Sequence, residues 1–232
     1  MKRIGILGGV SAQSTVSYYL TITQEYIKRH NNMAYPEIII YSVLFQDYLD
    51  WQNAGRWDIT SDHKVEVLSA LARAGAEVGL IATNTLHRVF DDVITRSPIP
   101  LISIIDTTAQ AIRAAGLSTV GLLGTQFTME EHFYQRGLAR SGITTIVPQS
   151  GEERAQVHQI IVEKLVRGII DEESRMTVVA IAKRLLDRGA EGVILGCTEL
   201  PLLISKDDLS EPLFDTARIH ALAALDASEE ES

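Results

Sequence analysis

Cys197 is the only cysteine in a chain of 232 residues, and its neighbours suggest a chemical role. It follows Gly196 at the end of an apolar run and precedes Thr198 and Glu199, at a point where a helix could begin. The dipole of a helix N-terminus lowers the pKa of a thiol and favours the reactive thiolate. A carboxylate at Glu199 could orient that thiol or exchange a proton with it. Free cysteines are also common in protein cores, but this context favours a reactive Cys197.

A second polar turn, Thr83-Asn84-Thr85-Leu86-His87, follows another apolar run and repeats the setting of Cys197. Ala-Gly-Ala-Glu (74–77) precedes the run before Thr83, and Arg-Gly-Ala-Glu (188–191) precedes the run before Cys197. Alone, the first turn would be interpreted as a helix cap, because Asn and Thr are common there. As a repeat, it predicts that Thr83 and Cys197 occupy equivalent strand ends, with His87 close to Thr83.

The turn at 8–15 also lies between a predicted strand and a predicted helix. Its spacing matches neither the dinucleotide-binding G-x-G-x-x-G pattern nor the phosphate-binding loop that ends in G-K-S/T, so a nucleotide is a weak candidate ligand. Backbone N–H groups at such a turn can still bind a carboxylate. Ser11 and Gln13 are therefore candidate substrate-binding residues, although the turn could serve only to connect the two elements.

Lys164 breaks the pattern of its predicted helix. It lies four and three residues after Ile160 and Ile161, so the cation falls within the apolar stripe and not opposite it. Its side chain could extend to solvent at the edge of the stripe, or its ammonium could bind a substrate carboxylate. The six histidines show no spacing typical of metal ligands, and one cysteine excludes a multi-cysteine zinc site, so we expect no metal.

A framework of strands and helices must bring these turns together. Apolar runs of strand length occur at 4–7, 37–43, 78–82, 101–105, 120–123, 144–147 and 192–195. Amphipathic helical patterns occur at 14–29, 62–73, 106–115, 130–141, 153–170, 174–188 and 216–227. Continuously apolar strands that alternate with helices are typical of parallel sheets covered on both faces, so we predict an α/β fold.

The repeat divides the chain into two similar lobes, each expected to contain a mostly parallel sheet flanked by helices. We expect the first lobe at 1–104, with 212–232 returning to it, and the second lobe at 105–211. Ligands of open α/β sheets bind beyond the carboxyl ends of the strands. If the lobes face each other, the polar turns converge on an active site in the cleft between them.

Composition argues against several classes of protein. A net charge of −9 without a cluster of Lys and Arg argues against nucleic acid as the main partner. No apolar run approaches the ~18 residues of a membrane span, and the short apolar run near the N-terminus does not resemble a signal peptide. With a single cysteine, the expected compartment is the reducing cytoplasm.

The chain resembles the aspartate/glutamate racemase family over nearly its whole length. The resemblance rests on five segments in order: Gly8-Gly9-Val10-Ser11, Asn84-Thr85-Leu86-His87, Leu122-Leu123-Gly124-Thr125 with Thr128-Met129, Gly196-Cys197-Thr198-Glu199, and Phe214-Asp215-Thr216. It implies an amino-acid racemase that acts on aspartate- or glutamate-like substrates without pyridoxal phosphate or any other cofactor, as a cytoplasmic homodimer. The implied substrate-binding residues are Asn84, Thr85, Thr125, Thr128, Thr198 and Lys164, the last for a side-chain carboxylate.

One catalytic position departs from the usual pattern of that family. Its members use two cysteines, one on each face of the α-carbon, but Thr83 stands where the first cysteine is expected. A subgroup of amino-acid racemases with a Thr/Cys pair is most similar to this chain. The resemblance implies that Cys197 removes the α-proton of the L-enantiomer while Thr83 or a water serves the opposite face. An arginine found after the second strand of some aspartate-specific relatives is absent from 42–47, which leaves broad specificity open.

Two other functions stay open at this point. Single-cysteine decarboxylases and cis–trans isomerases belong to the same superfamily, and Cys197 alone would suit either reaction. A small-molecule-binding protein that has lost its activity is the other alternative. The retained segment 84–87 favours the racemase over the single-cysteine enzymes.

Overall fold

A computed structural model describes residues 1–230, and these residues form two compact units. The first unit comprises Met1–Ile104 and the segment that begins at His220, and the second comprises Ile105–Ile219. Each unit contains one four-stranded parallel sheet with helices along it. The predicted α/β fold with two similar sheets is therefore confirmed. No helix within residues 1–230 is both long and apolar enough to cross a membrane.

The sheet of the first unit has the order β2-β1-β3-β4, and every neighbouring pair is parallel. Its strands are β1 (Ile4–Gly8), β2 (Ile38–Ser42), β3 (Val78–Ile81) and β4 (Leu101–Ile102). The helices are α1 (Ala12–His30), α2 (Phe45–Asn53), α3 (Trp57–Arg73) and α4 (Phe90–Arg96), with a 3₁₀ turn at Thr85–Val89 before α4. The central strands β1 and β3 are buried throughout, which accounts for their unbroken apolar sequences.

The sheet of the second unit repeats this topology in the order β6-β5-β7-β8. Its strands are β5 (Thr119–Gly124), β6 (Thr144–Ile146), β7 (Val193–Gly196) and β8 (Leu213–Asp215). The helices are α5 (Ile104–Ala114), α6 (Gln126–Glu130), α7 (His132–Ala139), α8 (Gly151–Gln159) and α9 (Glu172–Asp187). A last helix, α10 (Thr216–Glu229), begins in this unit and continues into the first. Irregular helical turns follow α8 at Ile160–Lys164 and Leu165–Arg167, and a 3₁₀ turn follows β7 at Leu200–Leu202.

The strand register makes Thr83 and Cys197 equivalent within their own sheets. In the first sheet, Leu80 pairs with the residue two positions before the glycine that ends β1, and Thr83 follows three residues later. In the second sheet, Ile194 pairs with the residue two positions before the glycine that ends β5, and Cys197 follows three residues later. Thr83 therefore lies just beyond the carboxyl end of β3, and Cys197 lies just beyond the carboxyl end of the equivalent strand β7, as the repeat predicts.

Several predicted boundaries were wrong. The strand predicted at 101–105 covers only Leu101–Ile102, because Ile104 already belongs to α5, whose apolar start cannot be distinguished from a strand by composition. Strand β8 was not predicted, and it pairs with β7, so 212–219 lies with the second unit. The return to the first unit begins at His220, within α10, and not at 212.

Candidate active site

The thiol of Cys197 lies at the carboxyl end of β7 and is bonded to a carboxylate. Its Sγ donates a hydrogen bond to Glu199 Oε2 at 3.0 Å, and the hydroxyl of Thr198 donates to the same oxygen at 2.9 Å. Glu199 is buried, and Cys197 is only 8% exposed. The carboxylate therefore faces the thiol in a site of low polarity, where it can take the thiol proton.

The pKa of Cys197 corrects one expectation from the sequence. A helix N-terminus was expected to lower it, but burial, followed by the negative charge of Glu199, raises the pKa of this thiol well above its ordinary value. The segment that follows is only the short 3₁₀ turn Leu200–Leu202, so a long helix dipole is absent there. Cys197 thus rests as a thiol that needs a base, and Glu199 is in place to be that base.

Two glycines allow the neighbouring turn to approach Cys197. Gly124 and Gly196 pair across β5 and β7, and a Cβ on Gly124 would lie 2.8 Å from the carbonyl oxygen of Gly196. Thr125 follows directly and caps α6, accepting a hydrogen bond from the N–H of Thr128. The hydroxyls of Thr125 and Thr128 lie 3.1 Å apart. The second unit thus brings Thr125, Thr128, Thr198, Cys197 and Glu199 to one edge of its sheet.

The equivalent edge of the first sheet carries the turn that begins with Thr83. Thr83 and Asn84 are buried, Thr85 is half-buried at the start of the 3₁₀ turn, and the N–H of His87 donates to Asn84 O at 2.9 Å. Ser11 caps α1 at the same edge and accepts a hydrogen bond from the N–H of Ser14. All of these except Ser14 were predicted as site residues, and the structure places them at one sheet edge.

The turn before α1 is also bonded to the chain just ahead of Thr83. The hydroxyl of Ser14 donates to Ala82 O at 3.2 Å, which joins the N-terminus of α1 to the end of β3. Gln13 lies exposed on the first turn of α1. The backbone of the Ser11 turn is therefore fixed relative to Thr83, while Gln13 remains accessible.

His87 joins Thr83 to the start of α5. The N–H of Ile104 donates to Nε2 of His87 at 3.2 Å, so Nδ1 carries the proton and donates to Thr83 O at 2.7 Å. His87 is buried and stacks on Phe90, with ring centroids 4.7 Å apart. Burial, followed by the neighbouring His220, lowers the pKa of His87 well below its ordinary value. His87 is therefore a neutral imidazole that holds the Thr83 backbone.

Two buried residues that support this turn or the adjoining chain, Lys64 and His220, were missed by the sequence analysis. Lys64 is fully buried on α3, and its amine donates to Leu86 O. His220 is fully buried on α10, where its Nε2 lies 2.9 Å from Ile102 O and its Nδ1 lies 2.9 Å from the hydroxyl of Tyr18. Lys64 could have been found, because it occupies the same apolar stripe as residues 67, 68 and 71.

A sequence profile of the Asp/Glu/hydantoin racemase family matches residues 7–224 of this chain. The chain belongs to this family. The match includes every segment on which the resemblance rested, together with both sheet edges described above. The family resemblance predicted from the sequence is therefore confirmed.

Solved structures of similar proteins share the racemase fold. A Yersinia pestis protein whose assignment as an Asp/Glu racemase is provisional is 40% identical, with a TM-score of 0.91 over 99% of this chain and 100% of that one. An aspartate racemase homologue from Pyrococcus horikoshii is 39% identical, with a TM-score of 0.85 over the same shares. The glutamate racemase of Neisseria meningitidis serogroup C is 27% identical over 66% of this chain, and the match spans 57% of that enzyme.

In this member of the family, Lys164 forms an ion pair of its own. It ends the π-helical turn Ile160–Lys164, where its amine lies 3.0 Å from Asp171 Oδ2 and donates to the hydroxyl of Ser174 at 3.0 Å. Its side chain is 37% exposed and borders an open groove of about 270 Å³. The structure thus shows Lys164 bonded to the N-terminus of α9, so a substrate carboxylate would have to compete with Asp171.

Proposed function

We propose that this racemase interconverts the enantiomers of free amino acids without a cofactor, with Cys197 removing the α-proton of the L-enantiomer. The observation that carries the proposal is the hydrogen bond from the Cys197 thiol to the buried carboxylate of Glu199. A thiol that is held against a base at the end of a strand can become a thiolate when the substrate arrives.

The proton transfers balance without an external reagent. Glu199 takes the thiol proton of Cys197, and the thiolate then takes the α-proton of the substrate, which leaves a carbanion. Hydrogen-bond donors at the sheet edges would stabilise the negative charge that spreads onto the substrate carboxylate. The candidates are the hydroxyls and backbone N–H groups of Ser11, Asn84, Thr85, Thr125, Thr128 and Thr198. A proton delivered to the opposite face by Thr83 or a water yields the D-enantiomer. Cys197 is then a thiol again, and the proton held by Glu199 passes through solvent to replace the one that was delivered, which restores the starting protonation.

Thr83 is proposed to serve that opposite face, directly or through a water. Its place in the strand register is the counterpart of Cys197, which supports this assignment. An aliphatic hydroxyl is far less acidic than a thiol, so Thr83 can deliver a proton to a carbanion but cannot begin the reaction as a base. We therefore expect L-substrates to react much faster than D-substrates.

The proposed substrates are aspartate, glutamate or a broader range of amino acids. The names of similar proteins support acidic substrates, since they include an aspartate racemase homologue and a glutamate racemase. The ion pair between Lys164 and Asp171 supports the broader range, because an ammonium that is already paired with Asp171 is less available to bind the side-chain carboxylate of an acidic substrate.

The test is exchange of the α-proton in D₂O, measured by proton NMR with L- and D-amino acids and with chiral analysis of the product. We expect exchange with L-substrates that Cys197→Ala lowers about 100-fold or more and that the exposed control Lys183→Met leaves unchanged. Thr83→Cys should raise the rate with D-substrates. Equal exchange rates from both enantiomers in the unmodified protein would contradict the asymmetric mechanism.

The same protein and variants can be assayed for the other functions that suit a single cysteine. Release of CO₂ from malonate-type acids would indicate a decarboxylase, and conversion of maleate to fumarate would indicate a cis–trans isomerase. Absence of exchange, CO₂ release and isomerisation alike would favour a binding protein that has lost its activity.

A further inference from the structure

Lys64 places an amine in the interior of the first unit, where burial of a polar or charged group is unfavourable. It is fully buried on α3, and burial lowers the pKa of its amine well below the ordinary value. Among the described residues no carboxylate forms an ion pair with this amine, so its burial is not offset by an opposite charge. Buried lysines without a charged partner are unfavourable in stability, which makes a purely structural role for the amine a poor explanation.

Within residues 1–230, the hydrogen-bond acceptor of Lys64 belongs to the turn that carries Thr83. The amine donates to the carbonyl of Leu86, three residues after Thr83. His87 donates to the carbonyl of Thr83 itself. Two buried side chains, Lys64 and His87, therefore each donate to a backbone carbonyl of the segment 83–87.

The turn after Cys197 is held differently. The N–H of Leu200 donates to Cys197 O at 3.1 Å, and Glu199 binds the thiol from within the same turn. No lysine takes part in these contacts. A change at Lys64 therefore loosens the support of Thr83 and leaves the support of Cys197 untouched.

We propose that Lys64 is a positioning residue that fixes the 83–87 turn, so that Thr83 completes inversion on the face opposite Cys197. This inference rests on the proposed racemase function. It predicts a selective defect: proton removal by Cys197 continues, but the carbanion is reprotonated more often from the Cys197 face. Once the Cys197 thiol has exchanged its proton with D₂O, the L-substrate is recovered with deuterium, and less D-product forms.

The test is the partition of one reaction in D₂O. An L-amino acid is incubated with the full chain, and two products are counted, α-deuterated L-amino acid and D-amino acid. Lys64→Met removes the donor with an apolar side chain of similar length, and Lys183→Met makes the same change at an exposed site of α9. We expect Lys64→Met to keep total exchange within about threefold and to lower the D fraction about tenfold, with the control unchanged.

Lys64→Gln retains an N–H donor and should restore part of the D fraction. Equal losses of exchange and inversion, or an unchanged D fraction, would overturn the proposal. If circular dichroism shows that neither Lys64 variant folds, the proposal is also overturned, because Lys64 is then needed for the stability of the fold. The proposed function fails separately, in the unmodified protein, if Cys197-dependent exchange is not observed.

Discussion

His220 should make the stability of the protein sensitive to mild acid. A carbonyl oxygen can only accept, so Nε2 of His220 donates to Ile102 O and Nδ1 accepts from the hydroxyl of Tyr18. Both contacts require the neutral imidazole in one tautomer. Burial accordingly lowers the pKa of His220 to about 4.

The magnitude follows from proton linkage. In the unfolded chain a histidine titrates near 6.5, so above that pH His220 is neutral in both states and adds no pH dependence. Between about 6.5 and 4, the unfolded state binds a proton that the folded state does not, and the free energy of unfolding falls as pH falls. At ~1.4 kcal/mol per pH unit, the loss by pH 4 is about 3 kcal/mol.

The measurement is urea unfolding followed by circular dichroism at several pH values from 8 to 4.5, with His220→Gln beside the unmodified protein. The variant should be less stable at pH 8, because Gln cannot reproduce both contacts. The difference in the free energy of unfolding between the two proteins should shrink by ~1.4 kcal/mol per pH unit below about pH 6.5. His132→Gln, at an exposed position, should keep the slope of the unmodified protein. Parallel curves for His220→Gln and the unmodified protein would refute the reasoning.

Three other predictions follow from the site. Glu199→Gln should lower α-proton exchange about 100-fold, because the thiol loses its base. The same change should shift the pH dependence of Cys197 alkylation by iodoacetamide to lower pH, because the negative charge that helps to raise the thiol pKa is removed. Asp171→Asn should raise kcat/KM for acidic over neutral amino acids about tenfold by releasing Lys164, and an unchanged ratio would exclude Lys164 from substrate recognition. Gly124→Ala should cost about 1–3 kcal/mol in urea unfolding, because its Cβ would meet the Gly196 carbonyl, whereas Gly151→Ala meets only ordinary contacts and should cost nothing.

The sequence was sufficient for the framework of the fold because the central strands have an unambiguous pattern. β1 and β7 are continuously apolar and end in glycine, which fixes both their type and their ends. Short elements at the edges carry less information. β8 has three residues after a proline, and the apolar start of α5 continues that of β4, so periodicity alone cannot separate them.

In the candidate site, too, the sequence pattern predicts positions along the chain but not the contacts that side chains make. The repeat places Thr83 and Cys197 correctly because strand register is encoded in the sequence. The raised pKa of Cys197 could not be foreseen, because it depends on burial and on which way the Glu199 carboxylate turns. The argument from a cation in an apolar stripe singled out Lys164, which is partly exposed, and overlooked Lys64, which is fully buried.

Helix α10 has a consequence for how the chain folds as it is made. It starts at the end of β8 in the second unit, yet its later residues, including His220 and Leu225, complete the core of the first. During synthesis Met1–Ile104 emerges before α10, so the hydrogen bond between Tyr18 and His220 can form only after Ile105–Ile219 has followed. The core of Met1–Ile104 therefore needs residues of α10 that are made last, so we expect this unit to complete its packing only after the second unit has been synthesised.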